Sequence, residues 1–164
     1  MSDKRILDII TSPADLKLLS NEELSILAGE IRHEIVTTTS KTGGHVASSL
    51  GAVEIILALH SLLDCPKDKI VFDVGHQAYA HKLVTGRLKD FGTLRTYGGL
   101  SGFPKPSESP YDVHYSGHAS DSLSVALGLA EARDLAGADQ KVVALIGDAA
   151  LSGGMAFEAL NNIG

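Results

Sequence analysis

The sequence predicts an α/β fold, a parallel sheet with helices on both faces. Three observations carry this prediction. Two short apolar runs, residues 70–74 and 142–146, read as buried strands. Segments with helical periodicity lie before, between and after them, and strands separated by helices imply parallel pairing. Each run ends in a glycine turn, Gly75-His76-Gln77 after the first and Gly147-Asp148-Ala149 after the second. In open α/β sheets, ligands sit at the carboxyl ends of the strands.

The elements follow in chain order. Pro13 marks an early break. Ser20 and Glu23 have the spacing of a capping box, in which Ser20 accepts from the backbone N–H three residues on and Glu23 reaches back. Leu24, Leu27, Ile31 and Ile35 then recur at helical spacing, giving a helix over about 21–38. Residues 37–44, rich in Thr and ending in Gly43-Gly44, read as a polar loop. A second helix is expected over 50–63, stopping before Pro66. The first strand follows, then a helix over 78–85. Residues 97–116, rich in Gly, Pro and Ser, form a long ordered loop, the kind that is often functional. Ser120 or Asp121 can cap a helix over 122–136, whose Ala126, Gly128, Ala130 and Ala132 allow close packing. The second strand and a helix over 155–163 complete the chain. No internal repeat is evident, and residues 1–164 read as one domain.

Composition narrows the function classes. The chain has 164 residues, 44% of them hydrophobic and 21% charged, so it can bury a core. Only 5% are aromatic, which implies an aliphatic, small-residue interior. The net charge of −6 argues against a general nucleic-acid surface. The single cysteine, Cys65, excludes an intrachain disulfide and a cysteine metal cluster, and suits a reducing cytoplasm. No apolar run approaches the roughly 18 residues of a membrane span.

Asp148 is the first candidate for chemistry. A carboxylate at a strand end, next to the N–H groups of a starting helix, offers both a Mg²⁺ ligand and anion contacts. The same residue can instead be a plain helix cap. Three histidines, His45, His76 and His118, each follow a glycine in a turn. Their ordinary pKa near 6.5 suits proton transfer at neutral pH, and convergence of the three would mark a site. His33, His60, His81 and His114 lack that setting and read as surface or packing residues. Lys105, between two prolines of the long loop, could meet a phosphate or simply face solvent. No phosphate-binding Gly-Lys-Ser/Thr loop and no dinucleotide Gly-x-Gly-x-x-Gly fingerprint is present.

Four segments together resemble the N-terminal part of the 1-deoxy-D-xylulose-5-phosphate synthase family, thiamine-diphosphate enzymes related to transketolase. They are Gly43-Gly44-His45-Val46-Ala47-Ser48-Ser49-Leu50-Gly51, Phe72-Asp73-Val74-Gly75-His76-Gln77-Ala78-Tyr79, Gly117-His118-Ala119-Ser120 and residues 147–164. The resemblance implies a thiamine-diphosphate-binding fold, incomplete at its C-terminal end because the sequence stops at Gly164. It implies Asp148 as first acidic ligand of the Mg²⁺ that bridges the cofactor diphosphate. Ala149 and Ala150 match backbone positions on that diphosphate. His76, Gly117, His118 and Ala119 match cofactor-binding positions, and His45 matches an active-site histidine that aids proton transfer or holds substrate. The implied reaction condenses pyruvate with glyceraldehyde 3-phosphate, releasing CO₂, and feeds isoprenoid, thiamine and pyridoxal precursor synthesis. The implied assembly is a cytoplasmic homodimer without nucleic acid or membrane.

The pattern departs from the family at Ala149, where Gly is usual. Alanine would weaken cofactor binding if that turn required positive φ. A later Asn ligand of Mg²⁺ and a Glu acting on the aminopyrimidine are implied further along the chain than these residues reach. The segment alone is therefore expected to be inactive, and a strand edge left unpaired is expected to favour self-association. Two other readings stay open: one subunit of a split transketolase-like enzyme, and a degenerate partner-binding module.

Overall fold

Helix α2, Asn21–Thr42, starts at the predicted capping box: Ser20 Oγ accepts from the Glu23 N–H at 3.2 Å, and the Glu23 carboxylate accepts from the Ser20 N–H at 2.8 Å. The computed structural model describes residues 4–164. These divide into two compact units. One comprises residues up to Asp64 with His76–Gly102, the other Cys65–Gly75 with Phe103–Gly164.

In the first unit, short α1, Pro13–Leu16, follows a single-turn 3₁₀ segment, Ile6–Ile9. Helix α2 runs four residues beyond its predicted end. The Thr-rich stretch expected as loop is helical because its hydroxyls bond back within the helix. Thr39 donates to the Ile35 carbonyl (2.7 Å) and Thr42 to the Thr38 carbonyl (3.2 Å). Gly43, at φ 75°, then ends it. The single helix expected over 50–63 is two, α3 Val46–Gly51 and α4 Val53–Leu62, with Ala52 between them at φ −96°, ψ −1°. The helix expected over 78–85 is α5, Tyr79–Lys82, running into a wide turn, Leu83–Arg87. That turn is broken at Gly86, φ 86°, where a Cβ would press on the Thr11 carbonyl.

Leu7, Leu16, Leu27, Ile31, Ile35, Val53 and Ile56 are fully buried with Tyr79, Leu83 and Phe91 and form this unit's core. Tyr79 meets Phe91 edge to face, with ring centroids 6.3 Å apart. His60 and His81 are buried in the same core, stacked, with Nε2 of His60 2.8 Å from Nδ1 of His81. One ring donates and the other accepts. Burial lowers the His60 pKa from 6.5 to about 3, aided by His81 and Arg87. The unfolded chain therefore binds this proton more readily than the folded one. Stability from neutral His60 is complete above about pH 6.5 and is lost as pH falls toward 3. Urea unfolding at pH 5 should give a stability about 2 kcal/mol below that at pH 7, and His60→Gln should flatten the slope.

The second unit holds the sheet. Strands β1, Lys69–Phe72, and β2, Val142–Leu145, pair in parallel, Lys69 opposite Val142 through Phe72 opposite Leu145. Both strands stop one or two residues short of their predicted ends. After β1, Val74 turns to φ 59° and Gly75 to φ 88°. At the entry end, Asp68 accepts from the Lys141 N–H at 2.7 Å, and Lys67 lies 2.9 Å from the Asp139 carboxylate. Helix α6, Ser122–Leu135, packs on both strands and against α8, Gly154–Ile163. Of its small residues, Ala126 and Ala130 are half-buried, whereas Gly128 and Ala132 are exposed. Nothing lies within 4 Å of where a Gly128 Cβ would stand, so this glycine serves no close approach. A short helix not foreseen from the sequence, α7, Asp148–Leu151, follows β2. The parallel pairing of an α/β fold is thus present, as a two-stranded sheet. Among the described residues no helix is long and apolar enough to cross a membrane.

Candidate functional site

Two of the three glycine-led histidines lie in the first unit. Gly44, at φ 144°, lies so close to the Tyr79 hydroxyl that a Cβ would collide with it. This close approach lets the next N–H, of His45, donate to that hydroxyl at 3.3 Å. His45 precedes α3 at its N-cap position, makes no side-chain cap bond to it, and is exposed. From α3, the buried Ser49 hydroxyl donates to the His76 carbonyl at 3.0 Å. That bond ties the second histidine turn to the first: the rings of His45 and His76 lie edge to face, centroids 5.2 Å apart.

The other expected residues lie in the second unit. Gly117, at φ 157°, opens the turn of His118 and Ala119, and no atom lies within 4 Å of where its Cβ would stand. His118 and Ala119 are exposed. The Ser116 hydroxyl accepts from the His118 N–H at 3.2 Å and donates to the Asp121 carboxylate at 2.6 Å. Nε2 of His114 also lies 3.0 Å from that carboxylate. The expected cap of α6 by Ser120 or Asp121 is not made, because both side chains are engaged elsewhere. Buried Asp73, at the end of β1, takes over instead: it accepts from the N–H groups of Ser120 (2.9 Å) and Ser122 (3.1 Å). The Ser120 hydroxyl crosses to the Ala150 carbonyl of α7 at 2.6 Å. Asp73 and Ser120 were not among the site residues expected from sequence. The available signal was an acid at the end of an apolar strand, adjoining the Gly75-His76 turn.

Asp148 is the first residue of α7, exposed, after the extended Gly147. The amides of a first helical turn have no acceptor within the helix, so those of Ala149 and Ala150 can meet an anion. Space beside Gly147 is open to at least 4 Å. Among the described residues no three His, Cys, Asp or Glu side chains cluster as a metal site. One carboxylate, the amides of a first helical turn and open space fit a Mg²⁺-diphosphate group, since Mg²⁺ commonly takes one or two carboxylates and completes its shell with phosphate oxygens and water. Ala149 lies inside α7 with helical backbone and is not among the positive-φ residues. A glycine is not required there, and the strain expected at this departure is absent. Lys105 is exposed, with its backbone N–H held by Asp112 at 2.7 Å.

A family model described as 1-deoxy-D-xylulose-5-phosphate synthase matches residues 7–164. Curated proteins are similar over nearly the whole chain. The 1-deoxy-D-xylulose-5-phosphate synthase of Thermus thermophilus is 65% identical over 159 residues, 97% of this chain and 26% of that protein. The 1-deoxy-D-xylulose-5-phosphate synthase 2 of Geobacter sulfurreducens is 64% identical over 160 residues, 98% of this chain and 26% of that protein. That of Dehalococcoides mccartyi is 58% identical over 160 residues, 98% of this chain and 25% of that protein. The chain thus spans about a quarter of the length of the curated relatives it matches.

Proposed function

The chain belongs to the 1-deoxy-D-xylulose-5-phosphate synthase family, and on that premise we propose that it is the N-terminal, diphosphate-binding part of such a synthase. The complete polypeptide carrying it condenses pyruvate with glyceraldehyde 3-phosphate, with loss of CO₂, as a transketolase-type transferase. The observation that supports this most directly is the arrangement at the end of β2: an exposed Asp148 opening α7 beside the open space at Gly147.

Residues 1–164 are proposed to be one domain of the thiamine-diphosphate-binding fold, partial relative to the relatives. Thiamine diphosphate, when bound, supplies the thiazolium that acts as electron sink. The chain's own residues bind and orient. Asp148 would hold Mg²⁺, and the amides of Ala149 and Ala150 would donate to diphosphate oxygens. Gly117, His118, Ala119 and His76 are each proposed as cofactor-binding residues, and His45 as the residue that would hold or move a proton at its imidazole. The remaining ligands, the homodimeric assembly and a cytoplasmic location are part of the same proposal. The helical backbone at Ala149 favours this reading over a degenerate module.

The reading is tested by assaying the complete polypeptide and residues 1–164 alone with both substrates, thiamine diphosphate and Mg²⁺. The complete polypeptide should release CO₂ and form 1-deoxy-D-xylulose 5-phosphate, and the segment alone should not. A complete polypeptide that turns over neither substrate would refute the reading.

A further inference from the structure

We propose that Asp73 and Ser120 are positioning residues that lock the 117–119 turn and helix α7 into one register, so that both face the same diphosphate. This inference rests on the cofactor reading above and adds to it two residues that touch neither cofactor nor metal.

Ser120 sits at φ 75°, a left-handed conformation that costs a non-glycine residue on the order of 1–3 kcal/mol and persists only where its surroundings over-determine it. Here they do. Asp73 is 1% exposed and is fixed to the sheet through its N–H, which donates to the Leu145 carbonyl at 2.9 Å. One of its carboxylate oxygens receives the N–H of Ser120 at 2.9 Å, the other that of Ser122 at 3.1 Å. With its backbone so held, Ser120 directs its hydroxyl to the Ala150 carbonyl at 2.6 Å. Gly153 completes the fit, because a Cβ there would collide with Ser120 Oγ.

A mere cap of α6 would need only the Ser122 N–H. The bond to the strained Ser120 and the onward bond to α7 have a different consequence. The strand end that carries Asp73, the turn that opens at Gly117 and the helix that opens at Asp148 become one connected unit. Bonds to a buried carboxylate are the strong kind. A diphosphate needs amides from two segments at fixed separation, and preorganising that separation removes an ordering cost from binding.

The test uses the complete polypeptide, titrated calorimetrically with thiamine diphosphate at saturating Mg²⁺. Ser120→Ala removes the bond to α7, and Asp73→Asn weakens the bonds to Ser120 and Ser122. Each should raise the Kd about tenfold, the effect of one charge-assisted or short hydrogen bond. Val71→Ala, in the buried interior of β1, is the control. It should lower the melting temperature at least as much as Ser120→Ala yet leave the Kd unchanged, which a purely structural role could not produce. If Asp73→Asn fails to fold, Ser120→Ala still decides. Wild type binding with Ser120→Ala equal to it would overturn the inference and leave the cofactor reading standing. A Kd raised equally by Val71→Ala would also overturn it. Absence of binding by wild type would overturn the cofactor reading, and this inference with it.

Discussion

Asp148→Asn should weaken Mg²⁺-dependent binding of thiamine diphosphate roughly a hundredfold or more and abolish turnover at ordinary cofactor concentrations. The amide keeps the shape of the carboxylate but loses its charge, and a divalent cation next to a diphosphate depends on that charge. Loss of a residue that only supports a metal ligand already costs about 10–100-fold. Asp148 is exposed at the start of α7, and no cluster of three ligating side chains exists among the described residues to replace it. The fold should not suffer. Asp148 makes no side-chain cap for α7, whose N-cap is Gly147, so the melting temperature should stay within a few degrees of wild type. A calorimetric titration with and without Mg²⁺, beside a thermal melt, separates the two effects.

Gly75→Ala should be the most damaging single-atom change in the second unit. Gly75 sits at φ 88°, and an added Cβ would run into the ring of Pro104. Left-handed backbone and overpacking each cost about 1–3 kcal/mol. Together they should remove about 3 kcal/mol or more, roughly a 10 °C drop in Tm for a chain of this size. Gly29→Ala is the counter-case. Gly29 lies inside α2 with nothing within 4 Å of the new methyl, so alanine there should stabilise by about 0.5–1 kcal/mol. Thermal melts of the two variants check both signs. Equal effects would mean that the Gly75–Pro104 approach does not constrain the turn.

The sequence was a good guide where one local rule dominated. Ser20 and Glu23 capped α2 as their spacing required, because both halves of a capping box lie within four residues. The two strands and their parallel pairing followed from apolar runs separated by helices. Element ends were less legible. Threonines at 37–42 suggest a loop until their hydroxyls find carbonyls of the same helix, as those of Thr39 and Thr42 do. The break at Ala52 leaves no compositional trace. His60 and His81, which read as surface or packing residues, are packing residues, but the bond between them joins separate elements and could not be foreseen.

The candidate site divides in the same way. His45 and His76 carry glycine turns that announce them, and the structure places their rings together. Asp148 and the turn of Gly117, His118 and Ala119 are equally visible as motifs. What holds them is not. Asp73 lies far along the chain from Ser120, and Ser120 from Ala150, so the network joining them exists only after the sheet forms. Ala149 is a case where the motif alone could not decide. A missing glycine signals trouble only if the backbone needs positive φ, and inside α7 it does not.

The most direct test of the central claim is titration of thiamine diphosphate into the complete polypeptide, with Mg²⁺ and with chelator, for wild type and Asp148→Asn. The account predicts binding by wild type that requires Mg²⁺ and is lost or severely weakened in the variant. Binding that ignores both the metal and Asp148, or no binding by wild type at all, would contradict it.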